Sequence, residues 1–105
     1  MKVKISELEG DALEGLVAKC EGKASWIRGF TTEWEKGGPI IEREKITLDF
    51  LDGSWRALIL EGEQIIGDGE GPTPLIAAMR CYVASKLGDE VDVPEELCEG
   101  EPKWK

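Results

Sequence analysis

The sequence predicts a small α+β protein: an antiparallel sheet of three to four strands packed with two helices and followed by an acidic C-terminal extension. Three observations carry this. Two segments place apolar residues at helical spacing, residues 46–66 alternate apolar and polar side chains around glycine turns, and residues 89–105 hold seven of the 22 acidic residues. A chain of 105 residues is the size of one domain, so the body is assigned to 1–88 and the tail to 89–105.

The elements follow in order. Residues 2–5 alternate lysine with valine and isoleucine, which suits a short edge strand. Ser6 and Glu9 have capping-box spacing but run into Gly10, so only a turn is expected there. A helix then starts at Asp11, with Leu13, Leu16, Val17 and Cys20 forming one apolar stripe and Gly22 as its stop. Residues 23–40 show no clean period and close on Gly37-Gly38-Pro39, so they read as a long loop carrying Trp26, Phe30 and Trp34. Ile40 and Ile41 lead into Glu42-Arg43-Glu44, read as extended. Ile46, Leu48 and Phe50 form a half-buried strand that ends at the hairpin dipeptide Asp52-Gly53. Residues 55–60 return as a second strand, Glu61-Gly62 turns again, and 64–66 give a short third. Residues 67–72 alternate glycine with acids and read as a loop. Thr73 as N-cap and Pro74 at the first helical position open a second helix that runs to Leu87 and stops at Gly88. That helix is apolar nearly all round, which requires cover on several sides, from the sheet and first helix or from a second subunit. A homo-oligomer is therefore expected.

Composition narrows the function. No histidine is present, which removes histidine acid-base catalysis, Ser-His-Asp triads and imidazole zinc sites. A net charge of −9 disfavours duplex nucleic acid as partner, since that affinity rests on lysine and arginine against phosphate. The three cysteines, Cys20, Cys81 and Cys98, have no metal or redox spacing. The first two fall on apolar helix faces, and the acidic surroundings of Cys98 blunt its thiol. No secretory leader and no membrane-length apolar run is read, so a cytoplasmic, non-enzymatic protein without metal or cofactor is expected.

Two constellations remain as binding candidates. The glycine turn entering the capped helix could offer Gly69, Gly71 and Thr73 as N–H and hydroxyl donors to an anion. Against this, Asp68 and Glu70 repel anions, and the turn has neither Walker nor dinucleotide spacing. Trp34 could stack on a base, with Gly37 and Gly38 admitting the ligand; equally, the loop aromatics could cover the open side of the sheet. Arg43 or Arg80 would neutralise phosphate. Arg80 lies in an apolar helix and must pair with a carboxylate, reach solvent or meet an anionic ligand, and Glu42 and Glu44 are its candidate internal partners.

The segments "MKVKISELEGDALEGLVAKCEG", "GGPIIERE" and above all "GPTPLIAAMRCYVASKLGDEVDVPEEL" resemble the NinX family of small proteins from lambdoid phages and prophages. The resemblance extends to about Leu97, with two departures: Gly15 stands where the family pattern "LDWAVAKCEG" has tryptophan, and Glu14 where it has aspartate. The resemblance implies a phage accessory protein of an infected bacterial cell that acts stoichiometrically on host defence. Such action takes two forms: sequestering a small anionic, nucleotide-like signal, which the candidate residues favour, or binding a host protein through an acidic surface.

Overall fold

A computed structural model describes residues 2–24, 26–88 and 90–92. The order of elements is β1 (Lys2–Lys4), a 3-10 turn (Ile5–Glu7), α1 (Gly10–Cys20), α2 (Trp34–Glu44), β2 (Thr47–Leu51), β3 (Ser54–Glu61), β4 (Gln64–Gly71), α3 (Pro74–Leu87) and β5 (Glu90–Asp92). The fold is α+β, with three helices rather than two. Most of the expected acidic tail, Cys98 included, lies outside the described residues. Within it, residues 90–92 pair antiparallel with β1, Val3 opposite Val91.

The three-stranded sheet is an antiparallel meander in the order β2-β3-β4. Its first hairpin is the expected one: Asp52 and Gly53 both take positive φ, 55° and 85°, as a tight two-residue turn requires. The third strand is longer than expected. Gly67, Gly69 and Gly71, read as parts of a loop, stand in β4 opposite Ile59, Ala57 and Trp55.

Packing explains why glycine alternates there. Successive side chains of a strand point to opposite faces, so the three glycines share one face, and α3 lies directly on it. A Cβ on Gly69 would strike the Ala77 carbonyl oxygen and meet the Cys81 nitrogen at 2.6 Å; one on Gly67 would meet the Cys81 oxygen at 2.7 Å. The glycines are a groove into which a helix backbone sinks.

The caps of α3 match expectation: Thr73 Oγ1 accepts from Ile76 N at 3.1 Å, Pro74 is the first helical residue, and Gly88 ends the helix with φ 90°. The sheet covers one side of α3, and α1 and α2 cover others. Leu75 and residues 77–84 are buried as a result. One chain therefore supplies the cover that its apolar circumference demands, and the argument for a second subunit falls away.

Residues 34–44 form a helix where a loop and a strand were expected. Two glycines and a proline cost a helix interior roughly 5 kcal/mol relative to alanine, so packing must hold α2 in place. It does so at Gly37, where a Cβ would stand 2.5 Å from the Phe30 oxygen and 2.6 Å from Leu75 Cδ2, and at Ile40, which is buried in the core. Lys45, with φ 56°, terminates the helix in the left-handed conformation.

Candidate functional site

The residues expected to form one pocket divide into three groups. Gly37 contacts Leu75 near the start of α3, while Arg43 and Glu44 reach Tyr82 and Lys86 towards its end, so α2 and α3 run parallel. Their N-termini consequently share one end of the molecule. Trp34, the first residue of α2, is 54% exposed there, with Gly38 beside its ring and Gly71 and Thr73 at the entry to α3. Gly37 is different: the Phe30 carbonyl and Leu75 fill the space over it.

Both arginines lie elsewhere. Arg43 is nine residues beyond Trp34, or about 13 Å along the helix axis. Its Nη1 and Nη2 donate to both carboxylate oxygens of Glu21 at 3.1 and 2.6 Å, its Nε to Glu44 at 2.8 Å, and Nη2 also to Tyr82 Oη at 3.2 Å. These pairs raise its pKa, while the Arg43 hydrogen bonds and the Tyr82 hydroxyl hold the Glu21 carboxyl below the usual carboxylate range. Burial, and then the Tyr82 hydroxyl bond to Glu21, push the phenol of Tyr82 up. The cluster joins the C-terminal ends of α1 and α2 to the later turns of α3.

Arg80 meets none of its expected partners. Only 9% exposed, it donates from Nε to the Leu8 carbonyl at 2.8 Å and from Nη1 to the Glu70 carbonyl at 2.6 Å. Glu44 instead pairs with Arg43 and Lys86, and Glu42 is exposed on α2. Burial lowers the pKa of Arg80, although two carbonyl dipoles accept from its Nε and Nη1. Arg80 fastens the edge of β4 to the segment before α1, joining residues far apart in sequence.

Sequence reasoning passed over Glu14 as a binding group. Only 6% exposed, it accepts the N–H groups of Gly29, Phe30 and Thr31 at 3.0 to 3.1 Å and the Thr31 hydroxyl at 2.6 Å. The turn that leads into α2 is thereby wrapped around one carboxylate. The available signal was a glutamate directly flanking the apolar stripe of a predicted helix. The loop aromatics divide: Phe30 enters the core, whereas Trp26 and Trp34 remain exposed.

A groove of about 770 Å³ opens beside β4, bordered by Lys4, Ile5 and Ser6 opposite Asp68, Gly69 and Glu70. Of the expected binding residues, Gly69 lines it, and Arg80 reaches its border through the Glu70 carbonyl. Lys4, Arg56 and Asp68 make no ion pair among the described residues. The sheet face away from α3 exposes Leu51, Leu60 and Ile65. Among the described residues no cluster of three cysteine, aspartate or glutamate groups could hold a metal ion, and no helix is long and apolar enough to cross a membrane.

The family model described as Bacteriophage P22, NinX matches residues 30–86, a little over half of the chain. The chain belongs to the NinX family. The matched segment runs from Phe30 through α2, the whole sheet and all but the last residue of α3. It thus includes both features that interrupt regular propensity, the Gly37-Gly38-Pro39 run and the glycine face of β4. Membership of NinX makes this a phage accessory protein. No curated protein matches the chain.

Proposed function

We propose that this NinX protein is non-enzymatic and acts by binding a host protein stoichiometrically, its acidic surface drawing in a basic partner. The observation that carries this reading is the open sheet: one face exposes Leu51, Leu60 and Ile65, and the same sheet ends in a strand edge with no neighbour among the described residues. Leu60 and Ile65 are cross-strand partners, so their exposed side chains adjoin on this face, and adjoining apolar side chains ringed by charges suit a partner contact. A charge of −9 speeds encounter with a basic partner in a salt-dependent manner. The arginines expected to hold phosphate are already engaged, which weighs against a tightly held anion.

The test is capture of one defined host protein from infected cells by the tagged chain. The reading expects capture at low salt, reduced at high salt, and lost when Leu60 and Ile65 are replaced by lysine in a variant that retains its circular dichroism spectrum. Capture that ignores both salt and these substitutions contradicts it.

The second reading, sequestration of a small anionic, nucleotide-like ligand, is favoured by exposed Trp34 at the shared N-terminal end of α2 and α3, where a base could stack. A thermal shift with cyclic or ADP-ribose-derived nucleotides, abolished by Trp34→Ala, would support it. Absence of any shift removes it.

A further inference from the structure

The groove at β4 lies along a strand edge that has no neighbouring strand among the described residues. The two-residue turn at Asp52-Gly53 makes Leu51 and Ser54 a hydrogen-bonded pair, and alternation along the register then points the backbone groups of Asp68 and Glu70 away from β3, where the Glu70 carbonyl accepts from Arg80. In a strand the N–H and C=O of one residue point to the same side, and the residue two places along repeats that direction. Asp68 N–H and C=O and Glu70 N–H therefore face the groove. No backbone bond reaches them from outside the sheet among the described residues. Lys4, Ile5 and Ser6, residues 56–58 of β3 and the small side chain of Ala84 complete the lining.

Side chains of a strand placed there would alternate between the open sheet face and the side where Ala84 lies. On the open face they would stand beside Asp68 and Glu70. Asp68 has no ion pair among the described residues, and the Glu70 carboxylate takes the Ser54 hydroxyl at 3.0 Å. Lys4 and Arg56 also border the groove, so it is not uniformly acidic. Register, more than total charge, decides what fits.

We infer that the edge of β4 receives an extended segment of a partner protein as a fourth strand, with lysine or arginine at alternate positions beside Asp68 and Glu70 and small apolar residues between them. The segment pairs with Asp68 N–H and C=O and with Glu70 N–H. Arg80 sets its limit, because the guanidinium already occupies the Glu70 carbonyl and ties it to Leu8. The inference rests on the protein-binding reading and specifies the partner's recognised element.

The test uses the full chain and a capped seven-residue peptide alternating lysine and valine. One control has the same composition with lysines and valines in separate blocks; the other is the alternating peptide methylated at the backbone nitrogens that would pair. Strand addition predicts that the alternating peptide binds at least tenfold more tightly than either control and slows hydrogen exchange at the Asp68 and Glu70 amides. Asp68→Lys should weaken it at least tenfold. Equal affinity for the block or methylated peptide, or unchanged exchange at those amides, overturns strand addition. Both controls alter the peptide alone, so the result does not depend on how a variant folds. Host-protein capture that survives Asp68→Lys refutes the edge and leaves the binding reading standing. Ordered peptide binding without any captured host protein does the reverse.

Discussion

Glu14 shows how one side chain can organise a segment that lacks regular structure. Its two oxygens take four donors from residues 29–31, so a glutamine in its place would turn an amide donor toward groups that are themselves donors. Leaving a buried donor unsatisfied costs about 1–3 kcal/mol. Glu14→Gln should therefore lower unfolding free energy in urea by about 3 kcal/mol, with loss of protection at the Gly29 and Thr31 amides; a change under 0.5 kcal/mol on this ~1–3 kcal/mol scale would deny Glu14 that role. Glu21 makes a prediction in pH. Its carboxyl is held below the usual carboxylate range by Arg43 and Tyr82, so its contribution is fully present above that range and lost as pH falls through the lowered value. Stability measured from pH 6 down to pH 2 should fall less steeply in Glu21→Gln than in the parent. Identical slopes would contradict the assignment. Cys81 is buried, and burial pushes its thiol up to about 12, which fits its expected part as a small core residue.

At the scale of elements, the helices and strands that were legible in the sequence are those whose local signals agree with their packing. The α3 caps, the Asp52-Gly53 hairpin and the stripe and glycine stop of α1 are of this kind. The two that were misread, α2 and the second half of β4, contain glycines selected by a neighbour rather than by a turn. Periodicity cannot distinguish Gly67, Gly69 and Gly71 in a loop from the same residues under a helix, because the deciding contact comes from residues 76–85. Gly37 and Gly38 separate the two uses of glycine in one helix. A Cβ at Gly38 finds only Trp34 Cε3 at 3.9 Å, whereas at Gly37 it strikes the Phe30 oxygen. Gly38→Ala should stabilise by about 0.5–1 kcal/mol, and Gly37→Ala should destabilise by about 1–3 kcal/mol, both read from urea midpoints. Equal effects would mean that α2 is not pressed on the Phe30 turn.

For the whole molecule, the candidate site was only partly legible. Residue types compatible with an anion site were present, but Arg43 and Arg80 are drawn into contacts with residues more than 20 and 70 positions away, Glu21 and Leu8. Such pairings leave no local pattern in a sequence. The acidic balance was legible from composition alone, and the open sheet became visible only once all three helices were seen to stand on its other side or beyond α3. Together they are the grounds for the proposal that this NinX protein holds a partner. The measurement that tests this most directly is native mass spectrometry of the tagged chain recovered from infected bacteria at low ionic strength. The account predicts a stoichiometric complex with one protein that dissociates as salt is raised. A chain that carries a retained small anionic molecule, with no bound protein, would contradict it.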